Sequence, residues 1–388
     1  MTDSTIPTSS TAPAGDTRPT AATEKRIAEN TSEPPPSEKI GVLRWLRKNL
    51  FSNALNSALT LVCLGLVAYW VLAFVEWGIL NAVWNTEDHN VCRQASGACW
   101  AVIGEKHRPM LFGVYPYEEH WRLVVALIVY LSTVCATLTP IFWKKHILIP
   151  MWIVSLAVMA TMMWGGIFGL TYVESGQWGG LPLTMVLFTG TLLFGFPISI
   201  LLALGRRSHL PAVKAICVTL IESMRGVPLI TILFVAVNVF PLFLPEGMEI
   251  DKLLRVVVGM AIFFACYQAE VIRGGLQAIP RGQYEAAEAL GLGYWRMMYR
   301  IILPQALRIC LPGIVNHIIA AFKNTSFVLI IGLFDILTAT TAVMQDPLWR
   351  RFFVEAYLFV AVVYFIFCFA LSRYSQQVER WLNDDRRF

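Results

Sequence analysis

A helix that crosses the hydrocarbon core of a bilayer needs about 20 mostly apolar residues, because roughly 30 Å is covered at about 1.5 Å of rise per residue. This sequence meets that requirement eight times, over residues 54–75, 121–142, 147–171, 181–205, 226–245, 253–274, 308–333 and 352–373. No other feature limits the fold as strongly. In lipid each backbone polar group must be satisfied within its own segment, so the repetition predicts an all-α transmembrane protein of about eight helices. Hydrophobic residues at 56% and charged residues at 15% leave too little polar surface for a soluble domain. That composition excludes a nucleic-acid-binding role and makes membrane lipid the first partner. The net charge of +5 is therefore read loop by loop.

Basic residues next to spans mark the cytoplasmic side. Arg44, Arg47 and Lys48 precede the first span, Lys144, Lys145 and His146 separate the second and third, and Arg206, Arg207 and His209 follow the fourth. Arg281, Arg296, Arg300 and Arg308 follow the sixth, and Arg373, Arg380, Arg386 and Arg387 follow the eighth. An even number of spans with both termini cytoplasmic fits these clusters. Arg350 and Arg351, beside Asp346 and Glu355, fall on the other side and argue against it.

Residues 1–39 have no aromatic side chain and are dense in Thr, Ser, Pro, Ala and Glu, which predicts a disordered cytoplasmic tail. The polar start lacks the pattern of a signal peptide, so the first hydrophobic segment is expected to be an anchor. Loop 76–120 is long and acidic and reads as a partly folded periplasmic element. It contains Cys92 and Cys99, for which an oxidising compartment favours a disulfide, although spacing alone does not establish the geometry and two free thiols are the alternative. His89 and His107 lack a recognisable metal-ligand spacing, so no metal site is expected.

Residues 280–304 are too polar to cross the bilayer and too patterned for a passive loop. Gln283 to Leu290 holds strong helix formers, Gly291 and Gly293 suit a C-terminal cap with positive φ, and helical spacing resumes from Tyr294 until Pro304. The small side chains of Glu285-Ala286-Ala287 at a helix start would let another protein approach closely.

The order Glu285-Ala286-Ala287, three residues, Gly291, nine residues, Ile301, one residue, Leu303-Pro304 resembles the EAA loop of ABC importer permeases without a departure. The resemblance implies that this segment is the coupling helix pair seated in a groove of a separate ATPase. Three further stretches look like the polar amino-acid uptake branch of that family. They are Glu222-Ser-Met-Arg225-Gly226-Val-Pro228-Leu229, Tyr267-Gln-Ala-Glu270-Val-Ile-Arg273-Gly274-Gly275 and Lys323-Asn324-Thr325-Ser326. The match covers a five-helix core, residues 181–380, preceded by a three-span extension, residues 40–180. That added length departs from the shorter members and is similar to the general L-amino-acid systems, in which two long, different permeases pair. The resemblance implies an inner-membrane heterodimer with a second homologous permease, two ATP-binding subunits and a periplasmic amino-acid-binding protein. ATP and Mg would be bound by the partner ATPase and no cofactor by this chain, which has no Gly-x-x-x-x-Gly-Lys-Ser/Thr loop.

A charge deep in a span costs about 2.5 kcal/mol or more on insertion scales and needs a partner or a watery cavity. Lys323, with Asn324, Thr325 and Ser326, either lines the translocation route or fixes a helix break. Glu270 with Arg273, and Glu222 with Arg225, are three apart on one helical face and read as a gate-side ion-pair network, with direct substrate contact as the lesser alternative. A membrane enzyme would need a metal motif or a paired nucleophile, and there is no His-Glu-x-x-His. A stand-alone secondary transporter would show an internal repeat with paired broken helices, and there is no second copy of the coupling segment.

Overall fold

The computed structural model describes residues 41–86 and 88–384, and the expected tail at 1–39 lies outside them, as do Arg386 and Arg387. It divides into two compact units, one ending at Val75 and the other running from Glu76. The first unit holds α1 (Val42–Asn49), with Arg47 and Lys48 in its last turn, and α2 (Ala54–Val75), an uncharged apolar helix with no buried residue.

The second unit opens with short helices α3 (His89–Gln94) and α4 (Ala101–Phe112), followed by α5 (His120–Leu138) and α6 (Lys145–Trp164). The core helices are α7 (Gly180–Arg206), α8 (Pro211–Gly226), α9 (Leu229–Phe234) and α10 (Lys252–Gln277). After these come α11 (Arg281–Ala289), α12 (Tyr294–Met297), α13 (Leu303–Ile309), α14 (Leu311–Asn324), α15 (Ile336–Val343) and α16 (Phe353–Asp384). Among the described residues seven segments are long and apolar enough to cross a membrane, and an eighth results if α8 and the helical run Leu229–Phe243 form one broken span. The expected all-α architecture of about eight helices is therefore observed.

Several boundaries differ from expectation, each for a local reason. The span expected at 147–171 stops at Trp164, where Gly165 and Gly166 take positive φ. Arg122, fully buried, donates from Nε to the Met162 carbonyl and from Nη1 to that of Thr171, both at 2.9 Å, and so closes the end of α6. The span expected at 121–142 ends at Leu138, two residues before Pro140. The span expected at 226–245 begins earlier, as α8, and bends by 106° at Val227-Pro228. Pro228 removes a backbone donor and bars Val227 from helical geometry, which forces the break. The span expected at 308–333 breaks at Cys310 before Pro312 and tightens into a 3-10 helix from Thr325 to Ile331.

Helices α7 and α10 form the axis of the core. They approach closely because α7 presents Gly195, where an added Cβ would lie 2.8 Å from the Ala261 carbonyl oxygen. One hydrophobic cluster joins α5, α6, α7 and α10 through Leu123, Tyr130, Met159, Leu187 and Val257, so these two spans of the extension pack into the core's own interior. A second cluster at the other end of α7 and α10 includes Leu276, Ala287, Met297, Ile302 and Ala306. A third joins Cys92, Cys99 and Val102 to Trp349, Phe352 and Ala356 at the start of α16. Cys92 and Cys99 are joined by a disulfide with a Cα–Cα distance of 5.5 Å. Asp346 and Glu355 engage this folded loop: Lys106 pairs with Asp346 at 3.2 Å, and the Cys99 N–H donates to Glu355 at 2.9 Å.

Candidate functional site

The polar segment after α10 folds as a helix, a glycine turn and a second, longer helix. At the end of α11, Gly291 takes φ +69°, its N–H donates to the Glu288 carbonyl at 2.8 Å, and the Leu292 N–H donates to the Ala287 carbonyl at 3.2 Å. That pair of bonds is a Schellman cap, and it needs the left-handed conformation that glycine adopts without steric cost. Gly293 has φ −65° and serves instead as the N-cap of α12, so only one of the two glycines takes the expected positive φ.

The helix continues through Pro304. A π-turn at Met298–Ile302 leads into α13, whose first turn accommodates Pro304 because its missing N–H is not needed there. Glu285 and Ala286 are exposed, whereas Ala287 packs into the second hydrophobic cluster and is not presented to a partner as expected. Ile301 and Leu303 pack against the same cluster, and Pro304 is exposed. Leu290, Trp295 and Tyr299 are each more than two-thirds exposed and form an apolar surface beside the turn. Burial raises the Tyr294 phenol above its usual range, so it stays neutral as a packing group.

Beside this segment, ion pairs join three core helices. Arg206 on α7 contacts Glu222 of α8 at 2.7 Å and Glu270 of α10 at 3.1 Å. Arg273 holds Glu270 through Nη2 at 2.9 Å, and Arg225 lies 3.9 Å from Glu222 and 3.8 Å from Glu270. The local pairing expected within α10 is tight and that within α8 is loose, while the short contacts between helices come from Arg206. Arg206 was expected only as an orientation marker, and no local spacing on its own helix reveals its partners. Partly solvent-exposed pairs of this kind are weak, so the cluster can open at small cost.

The residues from Lys323 to Ser326 have different surroundings. Asn324 faces a cavity of about 310 Å³ together with Thr191, Tyr267, His317, Phe263 and Leu229. Lys323 is exposed at the last turn of α14, and Ser326 donates back to its carbonyl at 2.8 Å. Thr325 is buried, donates to the Phe322 carbonyl at 2.7 Å and sits 3.5 Å from the Tyr364 hydroxyl. The cavity wall connects to the ion pairs, because the Tyr267 hydroxyl donates to the Arg225 carbonyl at 3.1 Å. Thr191, Tyr267 and His317 come from different helices, and only the sequence neighbourhood of Tyr267 had marked one of them.

A multi-pass helical domain with a capped helix turn displayed at one end, next to an ion-paired bundle, is the arrangement that the sequence resemblance leads one to expect of a transporter's membrane subunit. Residues 195–384 match the family described as binding-protein-dependent transport system inner membrane component. The chain is 46% identical over 347 residues to the inner membrane amino-acid ABC transporter permease protein YhdY of Escherichia coli (strain K12), covering 88% of this chain and 93% of that one. It is 38% identical over 424 residues to the glutamate/glutamine/aspartate/asparagine transport system permease protein BztC of Rhodobacter capsulatus, covering 91% of this chain and 96% of that one. A solved amino acid ABC transporter with histidines shares 32% identity and a TM-score of 0.46, over 52% of this chain and 91% of that chain. The protein belongs to the ABC importer permeases of the binding-protein-dependent family. It is a transporter component and not an enzyme, and the EAA loop, which the segment around Glu285 and Gly291 resembles, is part of that family.

Proposed function

We propose that this chain is one of two permeases in an ATP-driven amino-acid importer, with both termini cytoplasmic and loop 76–120 periplasmic. A second homologous permease, two ATP-binding subunits and a periplasmic amino-acid-binding protein complete the assembly, and ATP and Mg²⁺ are handled by the ATPase. The amino-acid specificity named for YhdY and BztC supports the substrate class. The observation that carries the reading is the exposed Gly291 turn, flanked by Leu290, Trp295 and Tyr299, at the end of the core where Arg206, Glu222 and Glu270 meet.

In this mechanism, closure of the ATPases on ATP pushes α11 and α12. The displacement loosens or re-forms the ion pairs among α7, α8 and α10, and the cavity beside Asn324 changes the side to which it opens. Weak, partly exposed pairs suit a gate that must open in each cycle. Glu222, Arg225, Glu270 and Arg273 are the gate, and Asn324 is the pathway residue among Lys323, Asn324, Thr325 and Ser326.

The test is affinity purification of the tagged chain from its native membrane, followed by mass spectrometry and ATPase assay with amino acids and the binding protein present. A second permease, an ATPase and amino-acid-stimulated hydrolysis are the expected result. A lone chain that transports amino acids in liposomes without ATP would overturn the reading.

A further inference from the structure

Tyr284 of α11 occupies a junction that the coupling motif does not include. At the end of α10 the Leu276 carbonyl looks for a donor four residues on, where Pro280 has no N–H to give. The Tyr284 hydroxyl donates to that carbonyl at 3.2 Å. The same hydroxyl accepts from Nη1 of Arg207, the C-cap residue of α7, at 3.1 Å. One phenol oxygen thus ties the coupling helix to the ends of both axial helices. The residue before Arg207 is Arg206, which closes the ion-pair cluster on Glu222 and Glu270. The second tether of α11, from Gln305 Nε2 to Gln283 Oε1 at 3.1 Å, runs to α13 and reaches neither axial helix.

We infer that the Tyr284 hydroxyl is a positioning group that transmits displacement of the coupling helix to α7 and α10 together, and so sets how tightly ATP hydrolysis is tied to transport. The inference rests on the importer function proposed above. The ring of Tyr284 packs against the second hydrophobic cluster and keeps α11 folded, whereas the hydroxyl makes both cross-helix bonds. The Tyr284→Phe variant removes both hydroxyl bonds while it retains the ring, its packing and the Arg207 guanidinium 5.8 Å above it.

The experiment uses the complete complex in proteoliposomes with its binding protein and a radiolabelled mixture of the standard amino acids, and reads ATP hydrolysed per amino acid imported. Tyr284→Phe, which loses both bonds of the hydroxyl, is expected to assemble and hydrolyse ATP but to raise that ratio by about fivefold or more, the factor to which about 1 kcal/mol corresponds. Arg207→Gln is expected to shift it in the same direction. The two changes combined are expected to do no more than Tyr284→Phe alone, since both break one linkage. An unchanged ratio in Tyr284→Phe, or strictly additive effects, would overturn the relay while leaving the importer function standing. Absence of ATP-driven import by the unmodified complex would overturn the importer reading and the relay with it.

Discussion

The carboxylate of Glu355 accepts a hydrogen bond from the backbone N–H of Cys99 at 2.9 Å, across a separation of 256 residues. Both residues are buried, so this one bond fastens the disulfide-bearing loop to the start of α16. Glu355→Ala leaves the Cys99 N–H without a partner and is expected to cost about 2 kcal/mol, the scale for a buried donor that loses its acceptor. Glu355→Gln retains an acceptor oxygen and is expected to cost less. Thermal unfolding of the solubilised protein, followed by loss of its monodisperse size-exclusion peak, measures the order of the two.

The Cys92–Cys99 bridge closes a short loop inside the same cluster. Its removal by Cys92→Ala with Cys99→Ala is expected to lower stability by about 2 kcal/mol through the freed entropy of the unfolded chain. Mass spectrometry of alkylated protein before and after reduction tests the bond itself. Alkylation of both residues without reductant would show them free.

Gly291 has φ +69° in an exposed turn with nothing within 4 Å of an added Cβ, so a substitution there acts through the backbone alone. A β-branched side chain disfavours that conformation by about 1–2 kcal/mol. Gly291→Val is expected to unwind the Schellman cap, leave the subunit in the membrane and uncouple hydrolysis from uptake. Normal uptake with normal stoichiometry in that variant would count against the coupling assignment.

Asp335 caps α15 by accepting from the Thr338 N–H at 2.9 Å, and burial raises its pKa above the usual carboxylate range despite the donors around it. The sign follows from linkage. A raised folded pKa gives stability that is fully present below the unfolded value of about 3.9 and is lost as pH climbs through the folded value. Asp335→Asn keeps an acceptor for the cap and removes the titration, so its advantage over the native protein should grow from about pH 4 upward. Parallel stability profiles for the two proteins would show that the donors cancel the cost of burial.

Asn324 faces the cavity while Lys323 is exposed at the end of α14. Asn324→Leu is expected to reduce uptake at least tenfold by leaving a polar contact unmade, on the order of 1.4 kcal/mol or more, whereas Lys323→Met should change it less. Initial rates of radiolabelled uptake at matched membrane expression decide it, and a larger defect in Lys323→Met would return the pathway role to the lysine.

Spans and the coupling segment were legible in the sequence because both are written in local spacing. Twenty apolar residues specify a membrane helix, and Glu285 to Pro304 is a contiguous pattern whose cap glycine could be named in advance. Tertiary relations were not legible in the same way. Arg206 contacts Glu222 and Glu270 only because α7, α8 and α10 converge, and the same basic residue signals orientation whether or not it is paired. Arg122 did carry a readable signal, a charge at the head of an apolar run, and the carbonyls it satisfies at the end of α6 explain why that helix stops early. Asp335-x-x-Thr338 was likewise a readable helix start that the surrounding apolar residues concealed. Gly226 and Pro228 were legible as the start of a span at 226, and they lie instead at the 106° break between α8 and α9.

Helix α16 is fastened at its first turn, where Glu355 holds Cys99 and Phe352 packs with Trp349 and Val102. From there its 32 residues extend about 48 Å. Along that length Tyr364 and Phe367 pack on Phe322 and Tyr374 packs on Trp143, so the helix is held in its middle and toward its far end as well as at its start. The disulfide-bearing loop thus ties the head of the last long helix to a segment more than 250 residues earlier in the chain, so the two cannot be exchanged or lost independently.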